Sequence, residues 1–382
     1  MFDPKLIVLQ PTPYCNINCS YCYLGGRNSR HVMSGNLLER ISVEILSQIP
    51  SHSCPLIVWH AGEPLTVSLD WYKNAYQILT SAAPAGMRFA MQTNGIAMTP
   101  EWVEFLRYTG TSVGLSIDGP QRFHDARRRT RRSGPTWELV RSGLALLQEA
   151  DIFPQVICVL SPESLQVPQE FYQFFADHNI TNVSFSIDEL EGINASSSFD
   201  GVDHKPAMIQ FLVQLLRQAQ WAGYPLRIRE MERIAALGCG IGRLENEQVR
   251  PWDIVTVDAL GNVSTFSPEA AEAISEEYGG FIFGNLLNGS LVDCISSPHL
   301  RTLAADIADG VASCRAACRY FDVCGGGAPI NKFVENGTVK STETQYCRLG
   351  TQAAADALTK LMGEEPSPRG EQTFCTRRPL ST

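Results

Sequence analysis

This sequence predicts an α/β fold built on a parallel sheet, with a smaller domain behind it, and three observations support that class. Apolar runs at 6–9, 56–59, 88–92, 112–117, 156–160 and 183–187 are near-continuous rather than alternating, as in strands buried on both faces. The segments between them carry apolar residues at helical spacing: Leu38/Ile41/Ile45/Ile49, Trp102/Phe105/Leu106, Leu139/Leu144/Leu147 and Phe171/Phe174/Phe175. A further helix follows with Ile209/Leu212/Val213/Leu216. Finally, 382 residues are enough for one domain of about 200–250 residues and a smaller second one.

The alternation fades near Gly223, so the expected division is 1–230, 231–362 and a loosely held, proline-containing tail at 363–382. Residues 225–230 read as a connecting strand, and 252–263 as a hairpin turning at Gly261-Asn262. Apolar content of 44% and charged content of 19% are ordinary for a globular chain. A formal charge of −9 argues against nucleic acid as a partner. The arginine-rich run at 127–132 stands apart, as either a solvated loop or a functional patch. No apolar stretch of roughly 18 residues and no signal pattern is present, so the expectation is a cytoplasmic protein without a membrane partner. Twelve cysteines then point to metal or redox chemistry rather than disulfides.

Directly after the first strand comes Cys15-Asn-Ile-Asn-Cys19-Ser-Tyr21-Cys22-Tyr23. Thiolates at this spacing can aim at one point, and iron–sulfur clusters are held by cysteine thiolates. Three ligands leave one iron of a [4Fe–4S] cube open. Zinc or buried thiols are the alternative, although this spacing is not a usual zinc pattern. With Tyr21 before the last cysteine, the loop resembles the signature of the radical S-adenosylmethionine (radical SAM) superfamily. The resemblance implies a partial (β/α)6 barrel, a [4Fe–4S] cluster whose open iron binds SAM, and a one-electron donor of flavodoxin or ferredoxin type. Chemistry in parallel barrels sits at the C-terminal strand ends, where the loop falls.

Other strand ends extend the resemblance. Trp59-His-Ala61-Gly62-Glu63-Pro64 is similar to the family's Gly-Gly-Glu-Pro motif, implying that Gly62 and Glu63 hold the SAM amino group. Asn94, in Gln92-Thr-Asn94-Gly95, could reach SAM or simply make the turn. Ser116-Ile-Asp118-Gly-Pro120, with His124-Asp125 and Arg128, resembles a motif of the peptide-modifying branch. That implies Ser116 and Asp118 near the SAM ribose and Arg128 on its carboxylate. Leu160 is either an adenine contact or core. Cys54 and Cys158 read as small buried hydrophobes.

The second cysteine run, Cys314-Arg-Ala-Ala-Cys318-Arg-Tyr-Phe-Asp-Val-Cys324-Gly-Gly-Gly327, with Cys347, can close a four-thiolate site for zinc or [4Fe–4S]. It resembles the SPASM domain, an α+β domain that usually carries two auxiliary clusters. Here Ala328 and Phe266 fall where two barrel-proximal ligands would be. The resemblance therefore implies one auxiliary [4Fe–4S] cluster on Cys314, Cys318, Cys324 and Cys347. Cys239 and Cys294 lie near the proximal position, and Cys375 reads as an unligated thiol.

The opening 10–24, Phe266-Ser-Pro268-Glu269 and Cys324-Gly-Gly-Gly-Ala-Pro-Ile-Asn-Lys with Thr342-Glu-Thr-Gln-Tyr-Cys347 are similar to the glycine-rich-repeat peptide maturases. These form three-residue cyclophanes, joining an aromatic ring carbon to a Cβ of a ribosomal precursor peptide. Glu269 is the candidate base, or else a surface carboxylate. Formylglycine or thioether formation is the alternative reaction, and a non-catalytic iron–sulfur redox or binding protein the alternative of another class.

Overall fold

The structure is a computed structural model that describes residues 2–84 and 86–363. The expected tail from residue 364, with Cys375, lies outside the described residues. All of the expected strands form: β1 (Leu6–Leu9), β2 (Leu56–Trp59), β3 (Arg88–Thr93), β4 (Ser112–Ser116), β5 (Gln155–Leu160) and β6 (Asn182–Ile187). Each is parallel to the next. Between them run α1 (Gly35–Glu44), α2 (Leu69–Ala82), α3 (Pro100–Thr109), α4 (Gln121–Arg127), α5 (Trp137–Glu149) and α6 (Pro168–Asp177). Parallel strands need such crossovers, because a short turn cannot return the chain to the starting edge.

Two of these helices were not expected. In α2 only Tyr72, Ala75 and Leu79 are buried, too thin a stripe to stand out. At seven residues α4 is too short to show a period. In α5 the inward residues are Trp137, Val140, Leu144 and Leu147, and Leu139 is 46% exposed on the opposite side. Cys54 is likewise exposed rather than buried, since the loop before β2 runs over the surface.

After α7 (Lys205–Trp221) the expected connecting strand shrinks to β7 (Arg227–Ile228), parallel to β6, because α8 (Arg229–Gly238) begins at Arg229. The expected hairpin is β8 (Ile254–Val257) and β9 (Asn262–Thr265), but its turn is Asp258 to Gly261, and Asn262 already pairs in the strand. Asp258 closes the turn by accepting from Leu260 N (2.8 Å) and Asn262 N (2.9 Å). β8 lies parallel to β1, and β10 (Gly284–Asn285) completes the order β10-β9-β8-β1-β2-β3-β4-β5-β6-β7. The expected boundary at 230/231 thus separates strands that share one sheet.

Three apolar clusters hold this frame. One packs α1, α2 and α3 on β1, β2 and β3, and a second packs α5, α6, α7 and α8 on β4, β5 and β6. The last described helix, α14 (Ala353–Met362), enters the second cluster through Ala353, Ala354, Ala357, Leu358 and Leu361. The third surrounds Phe266, Tyr278, Phe281, Leu303 and Ile330. Between β10 and α14 lie the 20-residue α10 (Pro298–Ala317) and the shorter α9 (Leu291–Ile295), α11 (Phe321–Cys324), α12 (Pro329–Asn336) and α13 (Gln345–Cys347).

In the first cluster Tyr72 meets Trp59, Trp71 and Trp102 edge-on, at ring-centroid distances of 5.2, 4.9 and 5.1 Å. Its hydroxyl donates to Pro64 O at 3.2 Å, which ties α2 to the loop after β2. Tyr72→Ala should therefore cost about 3–5 kcal/mol in chemical denaturation. Tyr108→Ala, at a side chain 84% exposed, should stay within about 0.5 kcal/mol of the parent.

Candidate active site

The loops leaving β1, β2, β3 and β4 interlock at one end of the sheet. Gly62 takes a left-handed φ of +56°, and a Cβ there would stand 2.3 Å from Thr12 O and 2.6 Å from Tyr14 O. Only glycine lets the β2 loop lie against the chain entering the cysteine loop. Ala61, where the family motif has glycine, adopts the same region at φ +68°. Glu63 is 1% exposed; its Oε1 accepts from Thr93 Oγ1 (2.5 Å) and Leu65 N (3.0 Å), and its Oε2 from Asn94 N (2.7 Å). Burial pushes this carboxyl up, against those hydrogen bonds. Glu63 is thus turned into the protein to brace two strand ends, rather than facing open space. Asn94 donates from Nδ2 to Asn16 Oδ1 at 2.7 Å and lies 3.9 Å from Cys15 Sγ.

The arginine run is tied into the fold, although Arg129, Arg131 and Arg132 remain exposed. Its backbone pairs with the cysteine loop through the Ile17–Thr130 bridge, Asn18 N to Arg129 O (2.7 Å) and Ser20 N to Arg127 O (3.0 Å). Arg131 Nε adds a bond to Cys15 O at 2.8 Å. Arg127 and Arg128 stand over the ring of Tyr21, at 4.3 and 5.5 Å from its centroid.

Tyr21 donates its hydroxyl to Asp118 Oδ2 (2.7 Å), which also pairs with Arg128 Nε at 3.0 Å, while Oδ1 accepts from Val159 N at 3.1 Å. Burial opposes the Asp118 charge, but Arg128 and Arg127 hold its carboxyl below the usual range. Asp118 and Arg128 therefore answer each other inside the protein, and Arg128 Nη1 reaches Cys19 Sγ at 3.9 Å. Leu160 is wholly buried in the second apolar cluster. Ser116 accepts from Gln92 Nε2 at 3.0 Å. His124 accepts from Asp118 N at 3.3 Å and contacts Thr136 Oγ1 at 3.0 Å; that hydroxyl donates to Arg128 O at 2.6 Å.

Cys15, Cys19 and Cys22 lie close enough to feel one another's charge. Burial raises the first two to about 12 and about 11; Glu63 adds to the rise at Cys15, while Arg128 opposes it at Cys19. Metal ligation would reverse that preference by favouring thiolates. Strand register places Val8, Val58, Ala90, Gln92, Ser116 and Thr256 on the sheet face opposite the helix-packed residues. Among the described residues, buried polar atoms without a hydrogen-bond partner include Thr256 Oγ1 and its cross-strand neighbour Ser264 Oγ, His60 Nδ1 at the end of β2, and the Tyr23 hydroxyl and Arg127 Nη2 in the segments after β1 and β4; others, on Asp3, Gln155, Asn182 and Asp253, lie at the strand starts. Such orphans suit a polar ligand. Sequence reasoning missed Tyr23, His60, Glu189 and Glu191, though the last two follow β6 and the strand-end rule points to them. Burial pushes Glu189 up to about 8, with further repulsion from Glu269, and Glu191 is raised by burial and then by Glu189 and Glu269. Glu269 is half-buried among these groups and accepts from Ser267 Oγ.

A second site lies apart in sequence. Cys314, Cys318, Cys324 and Cys347 all line one cavity of about 290 Å³, with Tyr320, Glu343 and Gln352. Cys324 ends α11 and is followed by Gly325, Gly326 and Gly327, all at positive φ. A Cβ on Gly326 would meet Val311 at 2.8 Å. Among the described residues no three His, Cys, Asp or Glu side chains converge tightly enough for a lone metal ion. The four thiols of this wider cup suit a cluster held by four cysteines. Phe266 is 3% exposed at φ +77° and packs with Ala270 and Phe281, and Ala328 is 6% exposed at the start of α12. Cys294 is buried in the first apolar cluster, and Cys239 caps α8.

The His124 network carries a pH signature. Burial pushes its imidazole down to about 4 from 6.5, so the neutral ring is the folded form. A depressed histidine adds stability above 6.5 that is lost as pH falls towards 4, on the order of 3 kcal/mol. Urea melts of wild type should show this loss, and His124→Gln should flatten it over the same window.

Radical SAM superfamily is the description of the family that matches residues 9–188. The chain is 37% identical over 371 residues to the uncharacterised protein sll1766 of Synechocystis sp., covering 95% of this chain and 93% of that one. It is 26% identical over 358 residues to the serine-type anaerobic sulfatase-maturating enzyme of Bacteroides thetaiotaomicron, covering 86% and 84%. Among solved structures it resembles anSMEcpe with bound AdoMet (TM-score 0.77, 17% identity, 94% and 98% covered). It also resembles SuiB of Streptococcus suis bound to precursor peptide SuiA (TM-score 0.65, 14% identity, 91% and 76% covered). At these identities the structural likeness is one of fold. With its cysteine loop, parallel sheet and strand-end motifs, the chain belongs to the radical SAM superfamily, whose enzymes work with a [4Fe–4S] cluster and S-adenosylmethionine.

Proposed function

We propose that this enzyme modifies a precursor peptide by removing two hydrogens, joining a side-chain Cβ to an aromatic ring carbon in a cyclophane. The observation that carries the reading is the pairing of two separate sites. One is the orphan-lined sheet face beside Cys15, Cys19 and Cys22; the other is the four-cysteine cup, with Phe266 and Ala328 where a further cluster would need ligands. A peptide substrate draws support from the anSMEcpe structure with Cp18Cys peptide and the SuiB structure with SuiA.

When bound, the first cluster and SAM supply a 5′-deoxyadenosyl radical that takes a hydrogen atom, and the auxiliary cluster supplies an electron sink. The protein's own part is placement. Asn94 and the Gly62 backbone border the SAM side, Tyr21 is fixed between Asp118 and the arginines, and Ser116 stands on the inner sheet face. Glu269, among His60, Tyr23, Glu189 and Glu191, is assigned the ring proton. Holding the peptide Cβ in reach is what converts an encounter into a reaction. The reductant is assigned to a flavodoxin or ferredoxin. A second reading, oxidation of a serine or cysteine to formylglycine, is favoured by the alignment to the Bacteroides enzyme.

Anaerobically reconstituted protein should release 5′-deoxyadenosine from SAM on reduction, and Cys15→Ala, Cys19→Ala or Cys22→Ala should each abolish it. Wild-type cleavage by any of them would remove the assignment. With a co-expressed precursor peptide, mass spectrometry should find two hydrogens lost per crosslink, with fragmentation suppressed between the joined residues. Serine oxidation removes the same mass, so a hydrazide probe separates the two: labelling indicates the aldehyde and contradicts the crosslink.

A further inference from the structure

Lys332 lies in α12, five residues beyond Gly327, and its side chain is 2% exposed. Nζ donates to Cys314 Sγ at 3.2 Å and to Gly310 O at 3.3 Å. The close passage of Gly310 against the chain at Val339, where a Cβ would stand 2.3 Å from Val339 O, fixes the carbonyl that receives this bond. No carboxylate among the described residues comes within ion-pair distance of Lys332. Lys332 stands behind Cys314, and the charged residues that line the cavity itself already have partners: Arg319 reaches Asp356 at 3.6 Å, and Glu343 accepts from Gln352 Nε2 at 2.7 Å. A buried ammonium is costly unless a negative group answers it. The negative group in reach is the Cys314 sulfur once it is a thiolate ligand.

We propose that Lys332 is the built-in counter-charge of the auxiliary cluster, raising its reduction potential so that it accepts an electron from the substrate side. The inference rests on the auxiliary-cluster reading above. Four thiolates leave a [4Fe–4S] cube net negative, and each added electron deepens that charge. A buried cation donating to a ligand sulfur therefore favours the reduced form, because cluster potential follows net charge and hydrogen bonds to sulfur. Lys332 makes and breaks no bond in this role. When loaded, the site held by Cys314, Cys318, Cys324 and Cys347 would supply the sink for the one electron released as the ring proton leaves, and an oxidised flavodoxin or ferredoxin would take that electron away.

The test uses the full chain with Cys15, Cys19 and Cys22 replaced by Ala, so that only the auxiliary site carries iron, in a redox titration followed by electron paramagnetic resonance. Lys332→Met and Lys332→Gln should retain the iron of the parent and shift the midpoint to lower potential, beyond replicate scatter. Lys332→Arg should stay near the parent. Neutral variants that keep their iron and titrate with the parent would overturn the proposal. So would loss of iron from both neutral variants, since the lysine would then have a structural task, or an arginine variant as low as methionine. A parent that binds no iron at all would instead refute the auxiliary-cluster reading beneath it.

Discussion

The buried contact between Asp118 and Arg128 is the constraint on which the rest of the site depends. With side-chain exposures of 1% and 8%, the two charges survive only because each is answered on several sides. Val159 N and the Tyr21 hydroxyl complete the carboxylate. The backbone of the same arginine segment then carries the cysteine loop. Losing either charge would leave the other uncompensated, a cost of about 3–5 kcal/mol, concentrated where the three thiols must be aimed. The polar residues of the strand-four motif thus work first as scaffold, and ligand geometry follows from them.

A second constraint divides the chemistry in space. The cysteine loop sits at the strand ends, where glycine at 62 lets two loops touch. The four-cysteine cup is built from helix ends and a run of three glycines, outside the sheet. Phe266 and the aromatic residues around it fill the region beyond β9 with apolar packing. Under the proposed function, this arrangement would separate the place where hydrogen is removed from the place where an electron is stored.

Much of this was legible in the sequence because it depends on residue type and spacing. Three cysteines after a buried strand, three more in a compact run with Cys347 beyond it, and Ala328 and Phe266 where the family resemblance expects cysteine are features of residue type that folding does not alter. The strands were legible because parallel sheets demand continuous apolar runs. What escaped depends on which way a side chain turns. Glu63 and Asp118 read as ligand-facing because they are polar at strand ends, and their residue types could not show that both are buried and already bonded to backbone donors and neighbouring side chains. The arginine run read as either a solvated loop or a functional patch because its part in holding the loop is played largely by backbone atoms, which leave no compositional mark. Lys332 sits at a buried position of a short helix, where nothing in its neighbours' pattern sets it apart from a surface lysine.

The central claim is that this chain holds one SAM-binding cluster and one auxiliary cluster, and iron quantification with Mössbauer spectroscopy on anaerobically reconstituted protein tests it most directly. About eight irons per chain, all in [4Fe–4S] form and falling to about four when Cys15, Cys19 and Cys22 are all Ala, is the predicted result. About twelve irons, or zinc in the cup lined by Cys314, Cys318, Cys324 and Cys347, would contradict it.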